Sequence, residues 1–366
     1  MRALTVRPGI AGAAQVRDIP EPSLEHGAVL VETLAVGVCG TDREIIDGHY
    51  GTAPPGEDYL VLGHEALGRV LEAPAGSSLS VGDLVVGIVR RPDPVPCPQC
   101  AVGEWDMCRN GLYTEHGIKG LHGFCAERFR IAPEYAVRLD AGLERVGVLV
   151  EPASIVAKAW EQIERIGQRT RWEPRTVLVT GAGPIGLLAA LLGVQRGLDV
   201  HVLDIVTEGP KPALVRELGA HYHAGGMEQV GVAADIVLEC TGIGQLVFDA
   251  MRCTAPNGIV CLTGLSSGGR RLEVNLAALN RSMVLENDVV FGTVNANRRH
   301  YEAAAAALAR ADRDWLRRLI TRAVLLHRWE EALIRRVTDV KIVIDLTAGT
   351  EIGTSIGPVM SPRLDG

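Results

Sequence analysis

The chain shows no excess of basic residues, no uninterrupted apolar stretch of membrane length and no internal repeat. Its 366 residues carry a net charge of −7, which argues against nucleic acid as a partner because phosphate binding requires a basic face. The longest apolar run, residues 177–194, contains four breaking positions, Gly181, Gly183, Pro184 and Gly186. We therefore interpret this run as strand, turn and helix rather than as a membrane span. Residues 1–6 begin with strand-like alternation instead of a secretory signal, so a cytoplasmic protein is expected.

Disulfides are also not expected, although eight cysteines are present, because cytosolic thiols stay reduced. Cys97, Cys100 and Cys108 have the close spacing of a metal site, in a polar excursion at residues 91–123 that we call the cysteine lobe. A closed zinc site takes four ligands, and Asp93 is the nearest candidate for the fourth. The alternative is a metal-free lobe lined by three thiols. The spacing favours zinc.

A second group of metal-binding residue types lies outside the lobe. Cys39 and His64 offer a thiolate and an imidazole, which suit zinc. Glu65 follows His64, and Glu151 begins a predicted helix. A catalytic zinc keeps an open position, where it would polarise an alcohol oxygen and favour hydride loss from the carbon. Thr41 could hydrogen-bond that oxygen and pass its proton outward. The alternative for each glutamate is a supporting or surface carboxylate.

The pattern along the chain predicts two domains. Residues 1–90 consist of short strands and turns, as in an all-β half-barrel. After a predicted helix at residues 155–166, strands alternate with helices. Five of these strands are identified, at residues 176–180, 200–204, 235–239, 258–262 and 289–293. Their alternation with helices predicts a doubly wound parallel sheet of six strands.

A glycine-rich fingerprint lies between the first of these strands and the following helix, the context that makes such a pattern informative. It reads Gly181-Ala182-Gly183-Pro184-Ile185-Gly186. Gly181 permits a tight turn, Gly183 lets the backbone approach a pyrophosphate, and Gly186 permits close helix packing. The phosphates would lie at the helix N-terminus, where free amides and the helix dipole meet them. We predict that the whole fingerprint, including Pro184 and Ile185, contacts a dinucleotide.

The cofactor predicted from this context is NAD, with NADP less favoured. Asp204 ends the second strand, 18 residues beyond Gly186, where a carboxylate can bind both ribose hydroxyls and would repel a 2′-phosphate. No arginine follows in residues 205–208. The alternative is that Asp204 only caps a turn. Three residues after later strands are predicted as further cofactor contacts: Thr241, Thr263 and Asn295.

Together these motifs resemble the zinc-dependent medium-chain dehydrogenases, from residue 1 to about residue 346. The matching motifs are Cys39-Gly40-Thr41-Asp42, Gly63-His64-Glu65-x-x-Gly68, Val81-Gly82-Asp83, the cysteine lobe and the glycine fingerprint. Within that superfamily, the segments 89–92, 115–124, 151–152 and 292–295 resemble the archaeal-type glucose 1-dehydrogenases.

The resemblance implies an α/β fold in which a GroES-like β-rich catalytic domain, residues 1–153 and 296–366, joins a Rossmann domain, residues 154–295. It implies a homodimer or homotetramer. It also implies zinc held by Cys39, His64 and Glu151, with Glu65 as a direct or water-mediated ligand. Sugar hydroxyls would be held by Thr41, Glu115 and Asn295. The full set of predicted substrate contacts is Thr41, Glu115, Glu151, Ser154 and Asn295.

Three departures from the family pattern are visible. One is Asp204 without a following arginine, which differs from family members that accept NADP. Ser154 stands where the family often carries an aspartate, so charge-assisted hydrogen bonds to a sugar would be lost there. Pro94 stands where a fourth lobe cysteine would be expected. The leading interpretation is hydride transfer from a sugar or polyol hydroxyl to NAD with zinc, with glucose oxidation at C1 as the best guess. The alternatives are oxidation of a cyclitol, sugar alcohol or amino-alcohol, and a non-catalytic nucleotide-sensing protein.

Overall fold

The structure, a computed structural model, describes residues 1–266 and 271–347. The first half forms strands and two short helices, which follow one another along the chain as β1 Arg2–Val6, β2 Gln15–Asp18, β3 Val29–Val38, α1 Gly40–Ile46, β4 Leu60–Val61, β5 Glu65–Glu72, β6 Leu84–Gly87, β7 Arg90–Arg91, α2 Pro98–Ala101, β8 Thr114–His116, β9 Gly120–Leu121, β10 Arg128–Ile131 and β11 Ala136–Arg138.

Helices and strands alternate in the second half: α3 Val150–Gly167, β12 Thr176–Thr180, α4 Pro184–Val194, β13 Asp199–Asp204, α5 Pro210–Glu217, β14 His221–Ala224, β15 Ala234–Glu239, α6 Gly244–Ala250, β16 Thr254–Leu262, α7 Leu276–Glu286 and β17 Val289–Gly292. The remaining elements are α8 Arg298–Ala309, α9 Arg313–Leu319, β18 Ile320–Leu325, α10 Glu330–Leu333 and β19 Lys341–Asp345.

The β-rich part is built around the long strand β3. In its main sheet the strand order is β11-β6-β5-β3-β19-β18, and β10 also pairs with β3. Strand β5 runs antiparallel to β3 on one side, and β19 runs antiparallel to it on the other. The last described strand therefore returns to the sheet that the first part of the chain forms.

The second sheet is parallel throughout, with strand order β14-β13-β12-β15-β16-β17. Strand order reverses beside β12, so the loop after β12 opens at the crevice where such sheets bind ligands. The predicted doubly wound parallel sheet and the two-part α/β fold are confirmed.

Several elements were not predicted from the sequence. The prediction of an all-β half-barrel for residues 1–90 is wrong, because helix α1 lies within it. Asp42 accepts a 2.8 Å hydrogen bond from the Cys39 backbone N–H and so caps the first turn of that helix. The edge strand β14 is short and polar, so it lacks the apolar run that marks the other strands. Strand β18 begins at Ile320, directly after the last residue of α9, Leu319.

Helix α3 connects the two parts through one continuous hydrophobic core. Its apolar side chains, among them Trp160 and Ile163, belong to a cluster that includes Leu67 of β5 and Val177 of β12. Burial on this scale keeps both ends of α3 fixed against their sheets. Across residues 1–266 and 271–347, no helix is both long enough and apolar enough to cross a membrane.

Candidate active site

Three of the predicted metal ligands meet at the end of β3. Cys39 follows β3 directly, and the antiparallel pairing of Gly37 with Glu65 places the start of β5 beside it. The Cys39 Sγ, a His64 ring nitrogen and a Glu65 carboxylate oxygen all lie within 4.8 Å of one another. The strand register thus joins residues that are 25 positions apart in sequence.

The close approach at this strand end depends on glycine. A Cβ at Gly37 would lie 2.1 Å from Glu65 Oε2, so a larger residue would displace the carboxylate. Gly63 has φ +87°, a left-handed conformation that other residues rarely adopt. It turns the chain immediately before His64.

His64 is oriented by Asp42, which the sequence showed only as part of a motif. The two side chains are buried, and His64 Nδ1 lies 3.3 Å from Asp42 Oδ1, although the pair is not aligned as a hydrogen bond. Burial alone would lower the pKa of His64, but Asp42 and Cys39 raise it well above its usual value. A carboxylate beside one ring nitrogen is the arrangement that directs the other toward a metal.

Lys341 is a site residue that sequence reasoning missed. Its Nζ donates to Glu65 Oε2, and both side chains are 2% exposed. Ile342 pairs with Val38, so Lys341 begins β19 beside the end of β3. The signal in the sequence was a lysine directly before the apolar run of residues 342–344.

The residues at this strand end fit a bound zinc ion. Burial, together with the neighbouring Glu65 charge, raises the pKa of Glu151 to about 7. Lys341 provides one positive charge against several buried acidic groups. A divalent cation would stabilise the ionised carboxylates, and the thiolate, imidazole and carboxylate donors are those that zinc binds.

Thr41 and Ser154 differ in their availability to a substrate. Thr41 is half-buried in the first turn of α1, next to Cys39. Ser154 is fully buried within α3, and its hydroxyl donates a 2.6 Å hydrogen bond to the Glu151 carbonyl oxygen. The hydroxyl of Ser154 is therefore already engaged inside the helix.

The predicted substrate residues Glu115 and Asn295 are brought into direct contact. Asn295 Nδ2 donates to Glu115 Oε1 at 2.6 Å. Arg90 Nε and Nη2 donate to the same oxygen at 3.1 and 3.0 Å. The Arg90 guanidinium also lies 3.6 Å from the centroid of the Tyr113 ring. Arg90, packed against Tyr113, fixes the position of the Glu115 carboxylate; sequence reasoning assigned neither residue.

In the cysteine lobe, the three thiols converge. Cys97, Cys100 and Cys108 place their sulfur atoms within 4.8 Å of one another. The pKa of Cys97 is lowered to about 6, mainly because its Sγ accepts a hydrogen bond from the Arg109 backbone N–H. Cys97 thus favours the thiolate form that binds metals.

Asp93 lies outside that 4.8 Å group but has a buried oxygen to satisfy. It is 3% exposed, and its Oδ1 accepts a 2.8 Å hydrogen bond from the Val95 backbone N–H. Its Oδ2 is buried without a hydrogen-bond partner, which is costly unless a cation compensates. The donor set of the lobe therefore fits zinc.

The glycine fingerprint forms the loop between β12 and α4. Gly181 has φ +89°, and a Cβ at Gly186 would lie 1.8 Å from the Gly181 carbonyl oxygen. Gly183 precedes α4, and Pro184 is its first residue. Ile185 is half-buried against the main core. The N-terminus of α4 is thereby left open, as phosphate binding requires.

Asp204 lies at the end of β13, where the fingerprint can contact it. Its Oδ2 accepts a 2.7 Å hydrogen bond from the Ala182 backbone N–H, and its Oδ1 accepts one of 3.0 Å from Val206. Lys211 Nζ lies 3.4 Å from Oδ2. This lysine, seven residues further on, was missed because only the four positions after Asp204 were considered.

Thr241 and Thr263 gather around a fully buried carboxylate, Glu239, at the end of β15. The Thr241 hydroxyl donates to Glu239 Oε1, and the Thr263 hydroxyl donates to the Glu239 carbonyl oxygen at 2.8 Å. Thr180 also donates to Glu239 Oε1, at 3.1 Å. Both predicted cofactor residues therefore lie at the carboxyl edge of the parallel sheet.

A buried ion pair anchors the lobe to α3. Lys158 Nζ lies 2.9 Å from Asp106 Oδ2, and both side chains are at most 1% exposed. Lys158 also donates to the Val294 carbonyl oxygen at 2.9 Å. Asn297 Nδ2 donates to Asp106 Oδ1 at 2.8 Å. The lobe and the Asn295 segment are thus held by the same lysine.

His300, close to this pair, should make the protein sensitive to acid. Its Nδ1 accepts from the Asn297 N–H, and its Nε2 lies 3.0 Å from Glu161 Oε2, which suits the neutral ring. Burial lowers the pKa of His300 to about 4. The unfolded state therefore binds more protons between pH about 6.5 and about 4, so His300 lowers stability as pH falls through that range, by about 1–3 kcal/mol.

Urea unfolding at several pH values tests this expectation. His300→Gln should lose less stability than the wild type between pH 6.5 and 4, because the ring is gone. His49→Gln, at an exposed position, serves as the control and should follow the wild type. An unchanged acid dependence in His300→Gln would contradict the prediction.

Known proteins resemble the chain over nearly its whole length. The family model of the alcohol dehydrogenase GroES-like domain matches residues 25–141, and that of the glucose dehydrogenase C-terminus matches residues 144–346. Glucose 1-dehydrogenase 2 of Vulcanisaeta moutnovskia is 41% identical over 354 residues, covering 94% of this chain and 99% of that protein. Glucose 1-dehydrogenase of Thermoproteus tenax gives the same figures.

Solved structures agree with the sequence relatives. The Haloferax mediterranei glucose dehydrogenase in complex with NADP, Zn and gluconolactone superposes with a TM-score of 0.86 at 34% identity. The match covers 94% of this chain and 99% of that one. The galactitol-1-phosphate dehydrogenase of Escherichia coli, at 22% identity and a TM-score of 0.76, shares the fold.

Proposed function

Because the chain belongs to the glucose dehydrogenase family of zinc-dependent medium-chain dehydrogenases, we propose that it oxidises glucose at C1 with a nicotinamide cofactor. The observation that carries this proposal is the convergence of Cys39, His64 and Glu65 within 4.8 Å, the histidine and the glutamate being buried. The runner-up substrate is another polyol or cyclitol, since Ser154 leaves no carboxylate at a position where the family often has one.

The reaction removes two hydrogens from the substrate. The hydroxyl gives up its proton, and the carbon bearing it gives a hydride to the oxidised nicotinamide, so that a cyclic aldose becomes its lactone. A zinc ion held by Cys39, His64, Glu151 and Glu65 would supply Lewis acidity that lowers the pKa of the hydroxyl. The chain's own residues bind the sugar, orient it and carry the proton.

Thr41 is the proposed proton relay: its hydroxyl takes the substrate proton as it passes its own proton outward to solvent. It is half-buried beside Cys39, where its hydroxyl can both donate and accept. Glu115 and Asn295 are proposed to hold the other sugar hydroxyls, since a fixed carboxylate and amide present complementary acceptors and donors. The contacts with Arg90 prevent Glu115 from reorienting, which supports a positioning role for the arginine.

The direct test measures nicotinamide reduction by purified, zinc-loaded protein with glucose, galactose, xylose, inositol and simple alcohols. The proposal expects turnover with glucose, at a kcat/KM above that for every simple alcohol. Turnover with inositol but not glucose would replace glucose by the runner-up. If none of these compounds is oxidised while zinc and nicotinamide bind, the non-catalytic alternative is favoured.

Preference for NAD over NADP is proposed to rest on Asp204. Asp204→Ala should lower the ratio of kcat/KM for NAD to that for NADP about 10–100-fold, because a charge-assisted hydrogen bond contributes about 1.5–3 kcal/mol. Lys211→Met is the matched variant: it should weaken NADP use and leave NAD use nearly unchanged. Steady-state kinetics with both cofactors measure the ratios. An unchanged ratio in Asp204→Ala would remove the residue from the ribose site.

The cysteine lobe is proposed to hold a second zinc ion with Asp93 as the fourth ligand. Metal analysis of protein dialysed free of excess metal should then give two tightly bound zinc ions per chain in the wild type and one in Cys97→Ser. Asp93→Ala should lower the lobe's zinc affinity, because one of four ligands is lost. One zinc ion per wild-type chain would favour the metal-free lobe.

The proposal extends to assembly and to the division of the chain. A homodimer or homotetramer in the cytoplasm, with neither nucleic acid nor membrane as a partner, is supported by the family resemblance and the net charge of −7. The proposed division assigns residues 154–295 to the nucleotide domain and the flanking segments to the catalytic domain. The final segment of the proposed catalytic domain, residues 348–366, lies outside the residues that the structure describes. Light scattering after gel filtration measures the subunit number.

A further inference from the structure

Four side chains that could bind a metal lie together on one face of the parallel sheet, away from the proposed active site. His201 in β13 pairs directly with His221 in β14. Asp199 is two residues before His201, and His223 is two residues after His221. Since side chains two residues apart in a strand share a face, the register places all four side by side.

The Asp199 carboxylate stands between two imidazoles. Its Oδ2 lies 3.3 Å from His201 Nε2, and its Oδ1 lies 3.2 Å from His221 Nε2. The donor atoms of these three residues all lie within 4.8 Å of one another. Zinc bonds of about 2.0–2.1 Å in a tetrahedron separate neighbouring ligand atoms by about 3.3 Å. Both nitrogen–oxygen distances therefore match a zinc site.

The hydrogen bonding of His223 determines which atom of His201 is available. His201 Nδ1 lies 2.8 Å from His223 Nε2, so one proton is shared between the two rings. With Nδ1 engaged by His223, Nε2 is the ring nitrogen of His201 that is left to face Asp199.

His201 Nε2 faces Asp199 Oδ2 at 3.3 Å. A metal-binding histidine typically makes a hydrogen bond through its other ring nitrogen, as His201 does to His223 through Nδ1. The cluster thus offers three candidate metal ligands, Asp199, His201 and His221, and His223 supports one of them by a hydrogen bond.

The cluster is partly open to solvent. The His201 side chain is 9% exposed, whereas those of Asp199 and His221 are 55% and 61% exposed. A bound ion would keep an open, water-accessible position. The cluster lies toward the start of β13, and Asp204 ends the same strand. At about 3.3 Å per residue, Asp204 lies about 10 Å beyond His201.

We propose that Asp199, His201 and His221 form a binding site for a divalent transition-metal ion, zinc in particular, with His223 as the positioning residue. Two imidazoles and one carboxylate suit zinc, copper and nickel rather than calcium or magnesium. The ion ties the edge strand β14 to β13. This site is independent of the Cys39 and cysteine-lobe sites.

The test is calorimetric titration with Zn²⁺ of the full chain, already loaded at its tightly bound metal sites and dialysed free of excess metal. The wild type should bind one further zinc ion. His221→Ala should weaken that binding at least tenfold, and His223→Ala about 10–100-fold. His327→Ala, which removes another exposed histidine, should match the wild type.

Dehydrogenase turnover and melting temperature are measured on the same samples. Added Zn²⁺ should raise the melting temperature of the wild type more than that of His221→Ala, because the ion binds the folded state. Turnover by His221→Ala should equal that of the wild type, so this proposal and the proposed function can fail separately. Equal zinc binding by the wild type and His221→Ala would overturn the site and leave a proton-sharing histidine network.

Discussion

Replacing Cys39 by serine is expected to lower kcat/KM at least about 1000-fold. The thiolate is the softest of the ligands gathered at the end of β3, and serine does not replace it as a zinc ligand. Lewis-acid activation contributes several kcal/mol, and each 1.36 kcal/mol corresponds to a factor of ten in rate. Steady-state kinetics and the zinc content of the same preparation measure the effect.

Cys253→Ser is the matched control for this experiment. Cys253 is half-buried, and its thiol lies 3.4 Å from the Ala250 carbonyl oxygen, remote from β3. The control should keep both zinc and activity. Binding of reduced cofactor should be similar in the two variants, because the fingerprint at Gly181–Gly186 is untouched. A fully active Cys39→Ser would refute the assignment of the catalytic metal site.

Lys158→Met is expected to lower the free energy of unfolding by about 3–5 kcal/mol, the usual effect of leaving one member of a buried ion pair uncompensated. The side chain is 1% exposed and also satisfies the Val294 carbonyl oxygen. Asp106 would retain its hydrogen bond from Asn297 but lose its counter-charge. The shift in the urea midpoint, combined with an unchanged slope, measures the loss.

Two further variants separate the buried pair from general effects of charge removal. Arg171→Met breaks the exposed pair with Glu173, 2.9 Å apart, and should change stability by at most about 1 kcal/mol. The double variant Lys158→Met, Asp106→Leu removes both charges and should recover part of the loss. If Lys158→Met is no less stable than Arg171→Met, the pair does not anchor the lobe.

This anchor has a consequence for the pocket. Lys158 holds the backbone next to Asn295, and Asn295 in turn contacts Glu115. A loosened lobe should therefore increase the KM for sugar more than it changes the affinity for cofactor. The two effects can be compared on Lys158→Met below its melting temperature.

Motifs with local chemistry were predictable from the sequence. The fingerprint at Gly181–Gly186 is informative because a strand precedes it and a helix follows it. Both elements form as predicted. The repeated alternation of apolar strands and helices likewise identified the parallel sheet. Such features depend on neighbours within a few residues, so the sequence pattern carries them directly.

Contacts between distant segments were not predictable in the same way. Lys341 meets Glu65 because β19 and β5 flank β3, and Arg90 meets Glu115 because β7 pairs with β8. The edge strand β14 was missed because His221 and His223 make it polar. Its polar residues became interpretable only when the register placed them beside Asp199 and His201.

By itself, the sequence determined the fold class, the family and the residue types of the metal and nucleotide sites, because these depend on composition, periodicity and short motifs. The tertiary structure alone decided which charges are buried together: Glu65 with Lys341, Asp106 with Lys158, and Asp199 with two histidines. Strand pairing and packing bring such groups within a few ångströms across many residues of chain. The strength of their interaction depends on that separation and on burial, neither of which a linear pattern records.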